Sequence, residues 1–187
     1  MADADTARSR LIEIVKARSL HTGATITLAS GKTSTFYVNL KPTMMDAEGA
    51  HLLARLILDE LHDAGVDLVG GMEMGAVPLA ACVAAASWTR GPGLRGFFVR
   101  KQAKDHGTKS LVEGLAGGET LKGKRVAMLE DVTTTGGSTL RAAEALQAEG
   151  ATIVRVIVAV DRQEGAADTF KAAGIPFTAL LTAADFR

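Results

Sequence analysis

Val126 to Ser138 reads VAMLEDVTTTGGS. Its first four residues, Val126, Ala127, Met128 and Leu129, form an apolar run that suits a strand buried on both faces, as the central strands of a parallel sheet are. Glu130 and Asp131 are then expected to emerge at the carboxyl end of that strand, the edge at which open α/β sheets bind ligands. Beyond Val132, the hydroxyls of Thr133, Thr134, Thr135 and Ser138 offer donors, and Gly136 and Gly137 let the backbone turn its N–H groups inward around an anion. A helix starting near Ser138 adds unpaired N–H groups and the positive end of its dipole, each such interaction contributing about 0.3–1 kcal/mol when exposed. The two carboxylates repel a phosphate but accept hydrogen bonds from vicinal hydroxyls. The pattern therefore asks for a ligand that presents a diol beside a phosphate, as a ribose 5-phosphate does. An ordinary strand–turn–helix connection capped by Ser138 leaves the paired acids without a purpose.

Working outward, the flanking sequence has the rhythm of an α/β domain. Residues 66–70, 96–100, 126–129, 153–160 and 177–181 read as strands, and residues 77–87, 138–149 and 166–173 as helices between them. Strands alternating with helices imply a mostly parallel, doubly wound sheet flanked by helices. Upstream, the spacing of Ala7, Leu11, Ile14, Val15 and Leu20 predicts an opening helix. Strands at 25–28 and 35–40 around the turn 29–32 predict a hairpin outside the main sheet. A helix over residues 47–64 follows, with Asp46 as N-cap, Leu52, Leu53, Leu56, Ile57 and Leu61 as its apolar face, and Gly65 as its stop. The expectation is a single domain over 1–187, with residues 1–45 as a small N-terminal helix and hairpin hood and residues 46–187 as the α/β core.

Composition sets limits on what the chain does. A chain of 187 residues buries roughly 70% of its unfolded surface and carries a full core. Lys plus Arg equals Asp plus Glu at 21 each, so no global field draws nucleic acid or an acidic membrane, and any anion site is local. The single cysteine, Cys82, excludes an internal disulfide and a cysteine-based zinc site. The opening MADADTARSR lacks the apolar core of a signal peptide, and no apolar run reaches the roughly 18 residues that span a bilayer. A cytoplasmic protein is expected.

Two familiar phosphate motifs are present in letter only. Gly91 to Gly96 satisfies G-x-G-x-x-G, but it precedes a strand and Pro92 removes a donor. Gly118 to Lys124 spells G-x-x-x-x-G-K, yet Arg125 stands where a P-loop needs Ser or Thr and a strand follows instead of a helix. Both read as connecting turns.

The stretch RKQAKDHGTK, Arg100 to Lys109, sets Arg100, Lys101, Lys104 and Lys109 against one acid, Asp105, with His106 among them. Its polarity and lack of apolar period predict a mobile loop running to about Gly118. Beside a sugar-phosphate site, such a loop is expected to close over a bound anion and neutralise its charge, with His106 as a candidate to exchange a proton.

The 126–138 stretch resembles the phosphoribosyl pyrophosphate (PRPP) motif of the type I phosphoribosyltransferases. Within that family, RKQAKDHG with Glu113 and Gly114 resembles the catalytic loop of the orotate enzymes. SGKTSTFYVNLK resembles their N-terminal segment, and Asp161 to Gly165, DRQEG, the segment after their sheet strand. Gly71 to Pro78 resembles the family's pyrophosphate loop, with Met74 and Ala29 where some orotate enzymes carry lysines, so that the backbone N–H groups of Met74 to Ala76 are candidates for the work and Lys32 or Lys41 for the charge. The resemblance implies a type I phosphoribosyltransferase fold and transfer of the phosphoribosyl group of PRPP to orotate, giving orotidine 5-phosphate in pyrimidine synthesis.

The resemblance also implies roles. Arg100, Lys101, Lys104, His106, Glu130, Asp131, Val132, Thr133, Thr134, Thr135, Gly136, Gly137 and Ser138 are expected to bind PRPP, with Lys101, Lys104, His106 and Asp131 catalytic. Phe36, Tyr37, Thr134 and Arg162 are expected at orotate, and a guanidinium at Arg162 suits the carboxylate of that base. Glu73, Met74, Gly75 and Ala76 are expected to meet pyrophosphate. Magnesium is the implied cofactor, held by ligand oxygens and water and not by protein side chains. A homodimer is implied in which the loop 100–118 is shared across the interface. The alternatives are a purine-base phosphoribosyltransferase, which needs neither Arg162 nor the cationic loop, and a non-catalytic PRPP-binding regulator.

Overall fold

The computed structural model describes residues 2–27, 33–102 and 111–187, with backbone alone at 2, 3, 22, 24–27 and 33–35. The expected turn 29–32 and the sequence positions of Lys104 and His106 lie outside or reach beyond the described residues.

Helix α1 (Ala2–Arg18) is followed by strands β1 (Leu20–Thr27) and β2 (Thr33–Val38), then by a short helix α2 (Lys41–Met44) and helix α3 (Ala47–Glu60). Strand β3 (Leu68–Met72), helix α4 (Ala76–Ser87), strand β4 (Arg95–Val99) and strand β5 (Val112–Glu113) come next. Strand β6 (Arg125–Thr133), helix α5 (Gly137–Ala148), strand β7 (Thr152–Asp161), helix α6 (Ala166–Ala172), strand β8 (Phe177–Thr182) and a 3₁₀ turn at Ala183–Phe186 complete the chain.

β1 and β2 pair antiparallel as a two-stranded ribbon, and the main sheet runs β5-β4-β3-β6-β7-β8. All its pairings are parallel except the antiparallel β4 with β5. From β3 the chain winds outward to β4, and from β6 it winds the other way to β7. The seam between β3 and β6 is therefore the topological switch point, where such sheets open a crevice at their carboxyl ends. The gap is visible in the register: β3 pairs with β6 only as far as Gly70 opposite Met128, while β6 continues beside β7 to Thr133 opposite Asp161.

Period-two alternation along β6 divides the core in two. Ala127 and Leu129 face a cluster built by Leu11, Ile14 and Val15 of α1, Leu53 and Ile57 of α3, and Leu79 and Val83 of α4. Val126 and Met128 face the opposite cluster, with Ala142, Ala143 and Leu146 of α5 and Phe170 of α6. α3 starts where Asp46 accepts from the Gly49 N–H at 3.0 Å, a cap that contributes about 1 kcal/mol.

The doubly wound sheet matches expectation, and several local readings are corrected. Leu20 opens β1 and does not end the first helix, and the hairpin strands begin earlier than 25 and 35. α1 packs into the main core and is tied to the far edge of the sheet, because Arg8 Nε donates to the Leu180 carbonyl at 3.0 Å and its guanidinium meets Asp185 at 2.7 Å. Among the described residues of 1–45, β1 and β2 pair as a ribbon separate from the main sheet. α3 ends at Glu60, short of Ala64, and Gly65 turns the chain with φ +59°. The loop expected to run to Gly118 is closed earlier: Val99 pairs with Val112, and the Arg100 N–H donates to the Leu111 carbonyl at 2.8 Å. α2, β5 and the final 3₁₀ turn are too short for a periodic signal.

Candidate active site

β6 runs four residues past the predicted end, so Glu130, Asp131, Val132 and Thr133 lie within the strand and not beyond it. Pairing with β7, Glu130 opposite Val158 and Val132 opposite Val160, extends the strand past the apolar run. Val132 packs against the α1–α3–α4 core.

Glu130 points to α5, where the Thr139 hydroxyl donates to its Oε2 at 2.5 Å and the Asp131 backbone N–H also reaches its carboxyl. Burial, and then the neighbouring Asp131 charge, push the Glu130 carboxyl up to about 8 against these two hydrogen bonds. Asp131 lies against the turn after β3, so closely that a Cβ built on Gly75 would overlap its carboxylate. The acidic pair thus joins the α5 side of the crevice to the β3 turn.

The raised carboxyl has a consequence for stability. Above about 4.5 the unfolded chain loses the Glu130 proton while the folded chain keeps it, so this group's contribution to stability declines with rising pH until about 8 and then levels off. Glu130→Gln has no proton to lose. Its melting temperature is expected to exceed that of the parent at pH 8, with the gain shrinking toward pH 5; thermal melts across this range that show a pH-independent difference contradict the assignment.

Gly136 takes φ +77° at the N-cap position, where no side chain caps the helix, so the N–H groups of the first turn carry no side-chain acceptor. The helix begins at Gly137, one residue before the predicted start. Gly136 cannot carry a side chain, because its Cβ would sit 2.8 Å from the Phe170 ring. Ser138 is exposed in the first turn and lines a cavity of about 390 Å³ with Arg100, Lys101 and Arg141 over an apolar floor that includes Met72 and Val99. Arg141 was missed in the sequence, although it stands one helical turn after Ser138.

In the turn after β3, the Glu73 N–H donates to the Val99 carbonyl at 2.8 Å, and Glu73 Oε1 accepts from the Lys101 N–H at 2.9 Å. This contact ties the turn to the root of the cationic segment. Arg100 lies 3.7 Å from Glu113, and its Nε donates to the Gln102 carbonyl at 3.2 Å. Met74 is exposed, whereas Ala76 is buried and opens α4. Lys104 and His106 fall outside the described residues.

On the other flank, β7 ends at Asp161, a buried carboxylate that accepts from the Gln163 N–H at 2.8 Å. Gln163 takes φ +60°, an uncommon conformation for a residue with a Cβ. Between them, the Arg162 N–H donates to the Thr133 carbonyl at 3.0 Å and its guanidinium pairs with Glu164 at 2.8 Å. Phe36 packs against the core with its ring 6.2 Å from Phe186, while Tyr37, on the opposite strand face, lies 6.0 Å from the His21 ring. The structure brings Glu73, Gly75, Asp131, Glu130 and the 133–138 turn to one crevice, with Arg162 at its β7 side. Thr139, Thr169 and Phe170, which hold that crevice in shape, were not singled out from the sequence, because nothing in one strand or turn shows what a distant helix will press against it.

The model of the phosphoribosyl transferase domain family matches residues 42–173. The orotate phosphoribosyltransferase of Bradyrhizobium diazoefficiens is 55% identical over 179 residues, 96% of this chain and 95% of that protein. That of Sorangium cellulosum is 43% identical over 96% of this chain and 92% of its own. The crystal structure of Mycobacterium tuberculosis orotate phosphoribosyltransferase in complex with PRPP superposes with a TM-score of 0.79 at 33% identity, covering 96% of this chain and 98% of that one. An adenine phosphoribosyltransferase from Leishmania donovani shares the fold, with a TM-score of 0.68 at 14% identity over 94% of this chain and 80% of that one. The paired acids, the uncapped glycine turn and the near full-length identity lead to one conclusion: the chain belongs to the orotate phosphoribosyltransferases of the type I phosphoribosyltransferase family.

Proposed function

We propose that this chain transfers the phosphoribosyl group of PRPP to orotate, giving orotidine 5-phosphate and pyrophosphate in pyrimidine synthesis. One observation carries the reading: Glu130 and Asp131 stand at the β3–β6 switch point directly before a helix start with no side-chain cap. The 5-phosphate takes the N–H groups and hydroxyls of Thr134 to Ser138, and the ribose hydroxyls face the two acids. Pyrophosphate faces the Glu73 to Ala76 turn together with Arg100 and Lys101, and Lys104 and His106 follow on the same segment. Arg162 takes the orotate carboxylate, with Thr134 and Tyr37 nearer the ring than Phe36, whose ring packs in the core.

As the anomeric bond breaks, positive charge grows on the sugar and negative charge on the leaving group. The Asp131 carboxylate on the sugar side and cations on the leaving-group side stabilise both, so electrostatics and positioning carry the reaction with no protein nucleophile. Among the described residues no three His, Cys, Asp or Glu side chains gather as a metal cage. Magnesium would be held chiefly by pyrophosphate, ribose hydroxyls and water, and would neutralise leaving-group charge.

The protein acts in the cytoplasm as a homodimer. No helix among the described residues is long and apolar enough to cross a membrane. α4, AVPLAACVAAAS, carries no charged residue, and exposed Met74 and Trp88 lie at its two ends; a second copy covers this face and brings its 100–118 segment to the neighbouring crevice.

Mixing the protein with magnesium, PRPP and orotate is expected to consume orotate absorbance and release pyrophosphate one for one, and EDTA should stop both. Adenine and hypoxanthine in place of orotate should release none. Turnover of a purine and not of orotate assigns the purine reaction instead, and a species sedimenting as a monomer under assay conditions removes the dimer.

A further inference from the structure

We propose that Thr169 is a positioning residue for the phosphate turn, an inference that rests on the phosphoribosyl reading of the crevice. Thr169 lies in α6, outside every motif that carries the family resemblance. Its hydroxyl donates across 34 residues to the Thr135 carbonyl at 2.8 Å, and it also lies 3.1 Å from the Gly165 carbonyl one helical turn back. The second contact is what a helical threonine makes by itself. The first, shorter one serves the turn.

A backbone nest holds an anion only if its N–H groups converge on it and its carbonyls point away. The peptide between Thr135 and Gly136 meets both demands when its carbonyl is turned to α6, and the Thr169 hydroxyl holds it there. Phe170, fully buried in the same helix, abuts the same peptide, with its ring 2.8 Å from where a Gly136 Cβ would be. Gly136 at φ +77° is free to rotate in ways other residues are not. Without the hydroxyl, the 135–136 peptide is free to turn its carbonyl dipole toward the phosphate. α6 also begins directly after Arg162 to Gly165, so one continuous segment carries the base side of the crevice and steadies its phosphate side.

The test compares Thr169→Val, which keeps the shape and removes the donor, with Thr169→Ser, which keeps the donor, and uses Thr169→Ala if the valine variant does not fold. Calorimetry with ribose 5-phosphate and with inorganic pyrophosphate, steady-state kinetics and thermal melts are read together. Loss of one neutral hydrogen bond predicts about 5-fold weaker ribose 5-phosphate binding and about 5-fold higher KM for PRPP in the valine and alanine variants. Pyrophosphate affinity and kcat should stay within about twofold, and serine should restore parental values. Unchanged ribose 5-phosphate affinity, an equal loss for pyrophosphate, or failure of serine to rescue overturns the positioning role. A parent protein that binds no ribose 5-phosphate overturns the phosphoribosyl reading itself, and the proposal with it.

Discussion

Gly75→Ala is expected to lower orotate turnover by about 100-fold while the protein stays folded. Gly75 has φ −59° and ψ −44°, an ordinary helical conformation, so alanine is not disfavoured by the backbone. Its methyl group would overlap the Asp131 carboxylate, the far end of a short side chain and not backbone. The cost therefore falls on the position of Asp131 and not on the fold. On the proposed role of Asp131 at the ribose, displacing it by about 1 Å is enough to lose two orders of magnitude in rate. Steady-state kinetics beside circular dichroism check this: parental turnover would show that Asp131 needs no fixed place, and loss of the folded spectrum would show that the turn has a structural role.

Gly71→Ala is expected to act in the opposite way, through stability. A Cβ at Gly71 would overlap the Leu129 backbone carbonyl and lie 2.9 Å from the Ala76 Cβ. Neither neighbour yields easily, because one belongs to the adjacent strand and the other opens α4. Forcing a methyl into such a contact costs about 3 kcal/mol, which lowers the melting temperature of a domain this size by about 6–12 °C. A melting temperature within 2 °C of the parent, by scanning calorimetry and on the order of the effect of a surface change, would show that β3 and β6 separate at little cost. The two adjacent glycines share one cause, since a Cβ at Gly70 would overlap the Phe97 carbonyl on the other side.

Much of this architecture was legible in the chain. The apolar run before Glu130, the repeated strand and helix periods, and the glycine turn before a helix are local patterns, and local patterns report the preferences of residues near in sequence. The two phosphate decoys were separable for the same reason, since each motif demands a particular order of strand and helix. The limits of β6 were not legible, because Glu130 to Thr133 are polar or mixed and become strand through pairing with β7. Nor was the division of labour between Phe36 and Tyr37, which alternation alone leaves undecided until a core forms beneath one of them.

From its sequence by itself, the chain determined the doubly wound α/β class, the location of the acidic pair ahead of an anion turn, and the kind of ligand such an order suits. Only the tertiary structure decided that Glu130 is buried against Thr139, that Asp131 rests on Gly75, and that Thr169 and Phe170 contact the glycine turn at Thr135 and Gly136. The reason is physical: residue order specifies which groups are available and their local geometry, whereas burial, charge coupling and steric exclusion arise between segments far apart in the chain, and have no value until packing brings them together.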